Sequence, residues 1–245
     1  MKLVIIKLIS DTFCYLFYDD QEAFIIDLYD DSIIDKLLSS EINKDFLDEK
    51  DIEALNKKNK ERKLIFAFFT EPSMEEERIK TYLKTKYGDS TKVFLPEANN
   101  KKEVTIKHMK DGTIIKCIKT PGHSLYSKCF FVKLKDNSKA YIAVGNLFSF
   151  LGCNVSHIFS KEMYVKSLNK IKKEIDKESI VLYKKDEKAK NLAFIKNNKY
   201  EISDIISKKS FLKCKDEIMY NPFFNCGKFL NGLVKLKNLK KWLKK

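Results

Sequence analysis

Three histidines, His108, His123 and His157, are the whole imidazole supply of this 245-residue chain, and none lies between Met1 and Lys107. Imidazole and carboxylate are the groups that hold zinc or iron and that move protons near neutral pH. A catalytic zinc takes about three protein donors and a pair of metals roughly twice as many, so histidine alone cannot supply either here. His123 ends the tight loop Thr120-Pro121-Gly122-His123. It reads as a lone metal ligand or, more plainly, as a structural histidine hydrogen-bonded to backbone. Glu71 could act as a base beside it, although a glutamate at a helix start is also ordinary dipole pairing. Cys153 could be a nucleophile, but no basic residue adjoins it and packing is the plainer reading. Asp186 follows Lys184 and Lys185 and is expected to sit at the surface or to pair with one of them.

The chain carries 48 Lys+Arg against 34 Asp+Glu, a formal charge of +14. Only Arg62 and Arg78 are arginines, so the residue best suited to bidentate phosphate and base contacts is nearly absent. A diffuse lysine surface is the simplest reading. It is compatible with an acidic small molecule or protein partner, and nucleic acid is the less supported option. Hydrophobic residues at 44% exclude a disordered chain, and no apolar run is long enough to cross a bilayer. The six cysteines form no C-x-x-C pair, and Met1–Ser10 lacks a small-residue cleavage site. Reduced thiols in a cytoplasmic protein are expected.

The elements that must position these groups alternate. Leu3–Leu8, Phe13–Tyr18, Ala23–Asp27, Lys63–Phe69 and Lys92–Leu95 read as strands, with hairpin breaks at Asp11-Thr12 and Asp19-Asp20-Gln21. A helix capped by Asp30 or Asp31 runs to Leu38, and another follows Pro72 with Ser73 and Glu76 as a capping box. Thr113–Lys119, Lys128–Leu134 and Lys139–Val144 form a second strand set, with a turn at Asp136-Asn137. Tyr164, Leu168, Ile171 and Ile175 share one helix face, and Ser179–Tyr183 is a last strand. Beyond Lys184 the pattern turns helical and lysine-rich. It closes on a Leu230–Trp242 stripe expected to pack on the preceding residues. The division is residues 1–185 and a helical unit 186–245.

Several segments, in order, resemble glyoxalase II, the hydroxyacylglutathione hydrolase branch of the metallo-β-lactamase fold. Leu8-Ile9-Ser10-Asp11-Thr12-Phe13-Cys14-Tyr15-Leu16 is similar to the opening hairpin, and Ile25-Ile26-Asp27 to the V-D-P strand end. Thr120-Pro121-Gly122-His123 with Cys129-Phe130-Phe131-Val132 resembles T-P-G-H…C-Y-x-V. Gly145-Asn146-Leu147-Phe148 with Gly152-Cys153 resembles G-D-T-L-F…G-C-G. Asn191-Leu192-Ala193-Phe194 and Asn221-Pro222-Phe223 resemble the N-L-x-F and N-P-F of the helical C-terminal part. The resemblance implies an α/β class fold, an αββα sandwich with a small helical C-terminal domain.

It also implies a metal-dependent thioester hydrolase, and the ligand positions depart from that pattern. Aligning T-H-x-H-x-D-H with Phe68 to Met74 turns the three histidines into Phe69, Glu71 and Met74, and the aspartate into Ser73. His123 keeps its place. The bridging aspartate becomes Asn146, and the last histidine becomes Lys185. On the thiol-tripeptide side, His157 stands at the family's tyrosine position, and Lys235 or Lys237 near its basic pair. The expectation is a vestigial site with no zinc or iron cofactor, in a non-catalytic binding or scaffold protein. The competing readings are a thioester hydrolase rebuilt on Glu71, His123 and Asp186, and a polyanion-binding module using residues 231–245.

Overall fold

The computed structural model describes residues 1–8, 11–28, 63–72, 76–96, 104–135, 139–153, 158–197 and 202–225. The expected helix from Asp30 to Leu38, the Ser73 cap, the Asp136-Asn137 turn and the Leu230–Trp242 stripe lie outside these residues. Ten described strands form two sheets. The first holds β1 (Lys2–Lys7), β2 (Phe13–Tyr18), β3 (Glu22–Ile26), β4 (Lys63–Phe68) and β5 (Lys92–Phe94), in that spatial order. β1–β2–β3 is an antiparallel meander, and β4 and β5 join it parallel. The second sheet runs β10 (Ile180–Leu182), β9 (Ala140–Ala143), β8 (Lys128–Lys133), β7 (Ile114–Lys119) and β6 (Val104–His108). Only the β10–β9 pair is parallel.

Period-two alternation decides what each face touches. In β2, Tyr15 and Phe17 point between the sheets, where they join Phe24, Phe68, Phe130 and Leu182. Cys14, Leu16 and Tyr18 point the other way, toward Ile79 and Leu83 of helix α1 (Glu76–Tyr87). Helix α2 (Lys161–Glu174) covers the outer face of the second sheet. Its buried Tyr164, Leu168 and Ile171, with Ile175 just after it, are the stripe that the sequence spacing indicates. The result is an αββα sandwich whose strands, buried on both faces, are apolar almost throughout.

Strand β6 has no counterpart in the sequence reading. Its signal is the Asp111-Gly112 pair after Val104 and Ile106, since Asp-Gly between apolar runs marks a hairpin. Beyond β10, helices α3 (Lys188–Asn197), α4 (Asp204–Lys208) and α5 (Cys214–Tyr220) place Ile195, Ile206 and Cys214 in the same cluster as α2. No helix among the described residues is long and apolar enough to cross a membrane.

The motif residues of this helical part turn out to be fasteners. Asn191 Nδ2 donates to Ser149 Oγ at 2.9 Å and to Phe150 O at 3.0 Å. Asn221 Nδ2 donates to Gly152 O at 3.0 Å and to Glu217 Oε2 at 2.7 Å. Glu217 is fully buried and also accepts from Leu151 N–H at 2.9 Å and Tyr183 O–H at 2.7 Å. These bonds tie the turn after β9 to α3 and α5. Burial outweighs the donors and pushes the Glu217 carboxyl up to about 7.

That shift sets a pH dependence. A carboxyl raised from 4.5 to about 7 on folding makes the folded state the stronger proton binder between those values. The Glu217 contribution is therefore fully present below about 4.5 and is lost as pH rises to about 7, on the order of 3 kcal/mol. Thermal melts from pH 4.5 to 7.5 are expected to show this decline in the native chain and a flatter profile in Glu217→Gln. Parallel profiles would refute the assignment.

Candidate functional site

The site is built where β3, β4, β7 and β9 end. Asp27, just past β3, has φ of +59°, a left-handed conformation that aspartate tolerates better than most residues. That twist turns its carboxylate onto Thr70, just past β4. Thr70 N–H donates to Oδ1 at 2.8 Å, and Thr70 Oγ1 donates to Oδ2 at 2.7 Å. Asp27 N–H meanwhile donates to Phe68 O at 2.9 Å, and Lys128 N–H donates to Thr70 O at 2.8 Å. Gly145 adopts φ of +57° so close to Thr70 that a Cβ would sit 2.7 Å from its hydroxyl. Thr70 thus locks the ends of β3 and β4, the start of β8 and the turn after β9 together, and Glu71 follows it directly.

Glu71 is buried. Its Oε2 accepts from Ser124 Oγ at 3.0 Å and Ser127 Oγ at 2.8 Å, and stands 3.7 Å from His123 Nδ1. The His123 side chain is 12% exposed, and both ring nitrogens are buried without a hydrogen-bond partner among the described residues. The structural role expected for this histidine is therefore carried by backbone, not by the ring. His123 O accepts from Phe159 N–H, and Gly122 O accepts from Ser160 N–H at the start of α2. Gly122 has φ of +144°, and a Cβ there would fall 2.4 Å from Tyr164 Cα. The loop can press onto α2 only with glycine at this point, and that contact aims the imidazole at Glu71.

The remaining expected positions scatter. Phe69 is fully buried on the helix side of the first sheet, in the cluster with Ile6, Ile79 and Leu83. Asn146 is half-buried in the turn after β9, and Lys185 is exposed, bridged through backbone to Thr12. Asp186 pairs with Lys7 at 2.8 Å rather than with Lys184 or Lys185, because its backbone N–H is held by Asp11 O beside β1. No described contact joins it to Glu71 or His123. Cys153 is buried in the core cluster with Tyr164, which supports packing over nucleophilic chemistry. Ser73, Met74, His157, Lys235 and Lys237 lie outside the described residues. Ser124 and Ser127 escaped the sequence reading; their one signal was the S-x-x-S spacing directly after T-P-G-H.

With Phe69 on the core side, the donor run starts at Glu71. Matching the motif's own threonine to Thr70 places Glu71, Ser73, Glu75 and Glu76 at the four ligand positions. Neither register holds an imidazole. Among the described residues no three His, Cys, Asp or Glu side chains gather in the way a metal needs. Among the described side chains, one imidazole, one carboxylate already accepting two hydroxyls and one neutral amide do not fit a metal pair.

No family model matches the chain. A curated relative, a probable hydroxyacylglutathione hydrolase of Encephalitozoon cuniculi, is 30% identical over 219 residues, covering 89% of this chain and 86% of its own. The chain belongs to the hydroxyacylglutathione hydrolase family. Solved structures agree on the fold. A metallo-β-lactamase of Staphylococcus aureus superposes with a TM-score of 0.57 at 15% identity, covering 91% of this chain, which spans 62% of that structure's length. A metallo-β-lactamase of Cronobacter sakazakii gives 0.55 at 14% identity over 95% of this chain and 92% of its own. In this member of the family the αββα frame is retained, and the strand end after β4 carries a glutamate–serine–histidine cluster.

The Asp27–Thr70 lock is testable. Thr70→Val leaves a buried carboxylate oxygen without its hydroxyl donor, a loss of about 2 kcal/mol. Calorimetry is expected to show Tm lowered by roughly 4–8 °C for a chain of this size, with Thr70→Ser losing much less. An unchanged Tm in Thr70→Val would remove the lock from the account.

Proposed function

We propose that this family member no longer assembles the dinuclear centre and acts as a binding or scaffold protein in the cytoplasm. The Glu71 environment carries the reading: the oxygen facing His123 is held by Ser124 and Ser127, so the strand end that would meet a cation is closed by hydroxyls. Asn146 and Lys185 at two of the other positions support it, since a neutral amide and an ammonium do not grip metal. No zinc or iron cofactor is proposed. The five described cysteines form no disulfide, which suits a reducing compartment. The excess of lysine suits an acidic small molecule or protein partner. Residues 1–185 and 186–245 are proposed as the sandwich and its helical appendage.

A second reading is favoured by one observation. Glu71 and His123 approach within 3.7 Å, and a carboxylate beside Nδ1 orients an imidazole whose Nε2, buried here, would take a proton from water attacking a thioester once the loop exposes it. Of the trio Glu71, His123 and Asp186, only the first two come together, because Asp186 is held at the surface by Lys7.

Elemental analysis of the native chain, with turnover of S-lactoylglutathione, separates the two. Metal well below stoichiometric and hydrolysis no faster than buffer are expected. Two zinc or iron ions per chain would overturn the proposal. Metal-free turnover abolished by His123→Ala and reduced by Glu71→Gln would establish the second reading in its place.

A further inference from the structure

A cleft of about 700 Å³ opens at the edge of the sandwich where the two outermost strands, β1 and β10, diverge. It lies away from the Glu71 cluster. Lys2 on β1 aligns through Tyr18 and Ala23 with Leu64, at the start of β4, whereas Glu71 follows that strand's end. The cleft is the unfinished end of the core between the sheets. Leu182 and Tyr141 are buried at its floor, while Leu3, Ile5 and Ile180 form half-buried walls. Phe211, stacked on Tyr183 and tilted against Phe13, closes one side without filling the gap.

The charged side chains at the cleft have one sign, and the ammonium of Met1, which also lines it, pairs with Asp111 at 3.0 Å. Lys2, Lys139, Lys209 and Lys213 line it, and no acidic residue does. Lys209 and Lys213 pair with Asp216 at 3.2 Å and Glu178 at 2.8 Å, both outside the lining. Lys2 and Lys139 have no carboxylate partner among the described residues. Ligand pockets typically enclose about 300–1,000 Å³ of mostly apolar wall with a few convergent polar groups, and this cleft has that make-up. Leaving inward-facing Leu, Ile and Phe in water is unfavourable in proportion to area, so an apolar occupant gains by covering them. A cationic rim selects the charge of its head.

We propose that the β1–β10 cleft binds a free single-chain anionic amphiphile, an alkyl chain lying along Leu3, Ile5 and Leu182 with its carboxylate held by Lys2 and Lys139. The inference stands apart from the Glu71 cluster, and loss of either leaves the other intact. Calorimetric titration of the full chain with dodecanoate below its micelle concentration tests it. Saturable one-to-one binding is expected, strengthening roughly two- to fourfold per methylene from octanoate to dodecanoate. Acetate and dodecyltrimethylammonium are expected not to bind. The double variant Lys2→Glu/Lys139→Glu changes exposed side chains, and an unchanged melting curve checks its fold. It is expected to bind dodecanoate at least about tenfold more weakly. Absence of saturable binding, equal binding of the cationic chain, or an unaffected double variant would overturn the proposal. Co-sedimentation with phosphatidylcholine–phosphatidylserine vesicles, lost in that variant, would replace a free ligand with a membrane surface.

Discussion

A buried carboxylate that must be satisfied is the constraint on which the site end of this molecule depends. Asp27 is almost wholly inaccessible, and desolvating an ionised carboxylate without donors is among the costliest events in folding. Thr70 meets it with both backbone N–H and hydroxyl. The arrangement requires a left-handed Asp27, a β4 that stops at Phe68, and a glycine at 145 to make room. Each requirement fixes a neighbour. The lock therefore sets where Glu71 emerges, independently of whether a cation is ever held there.

That independence explains how family architecture and family chemistry can part. Gly122 keeps its loop on α2, while Asn191, Glu217 and Asn221 keep the turn after β9 on α3 and α5. All of these serve packing and backbone hydrogen bonding. None is a metal donor in the family pattern, so the frame does not depend on which side chains occupy the donor positions. Ser124 and Ser127 supply Glu71 with the partners that an unpaired buried carboxylate would otherwise lack. At one end of the sandwich Glu71 is thereby held by two hydroxyls, while the β1–β10 edge is an open apolar wedge lined by lysine.

Periodicity alone carried the order of strands and helices, from the short apolar strand runs to the Tyr164–Ile175 stripe at helical spacing. The αββα sandwich that they build came from the resemblance to the glyoxalase II branch, and the two sheets with their covering helices bear it out. The missing imidazoles were equally plain, because a donor absent from the chain cannot be recovered by folding. What only the tertiary structure decided was position. The two-residue shift that starts the donor run at Glu71 follows from Phe69 sitting under α1, a choice of face that a short apolar run does not reveal. The pairing of Glu71 with His123, of Asp186 with Lys7, and of Glu217 with Tyr183 joins residues 52, 179 and 34 apart along the chain. Such contacts arise from how two sheets and their helices meet, and no local pattern encodes them.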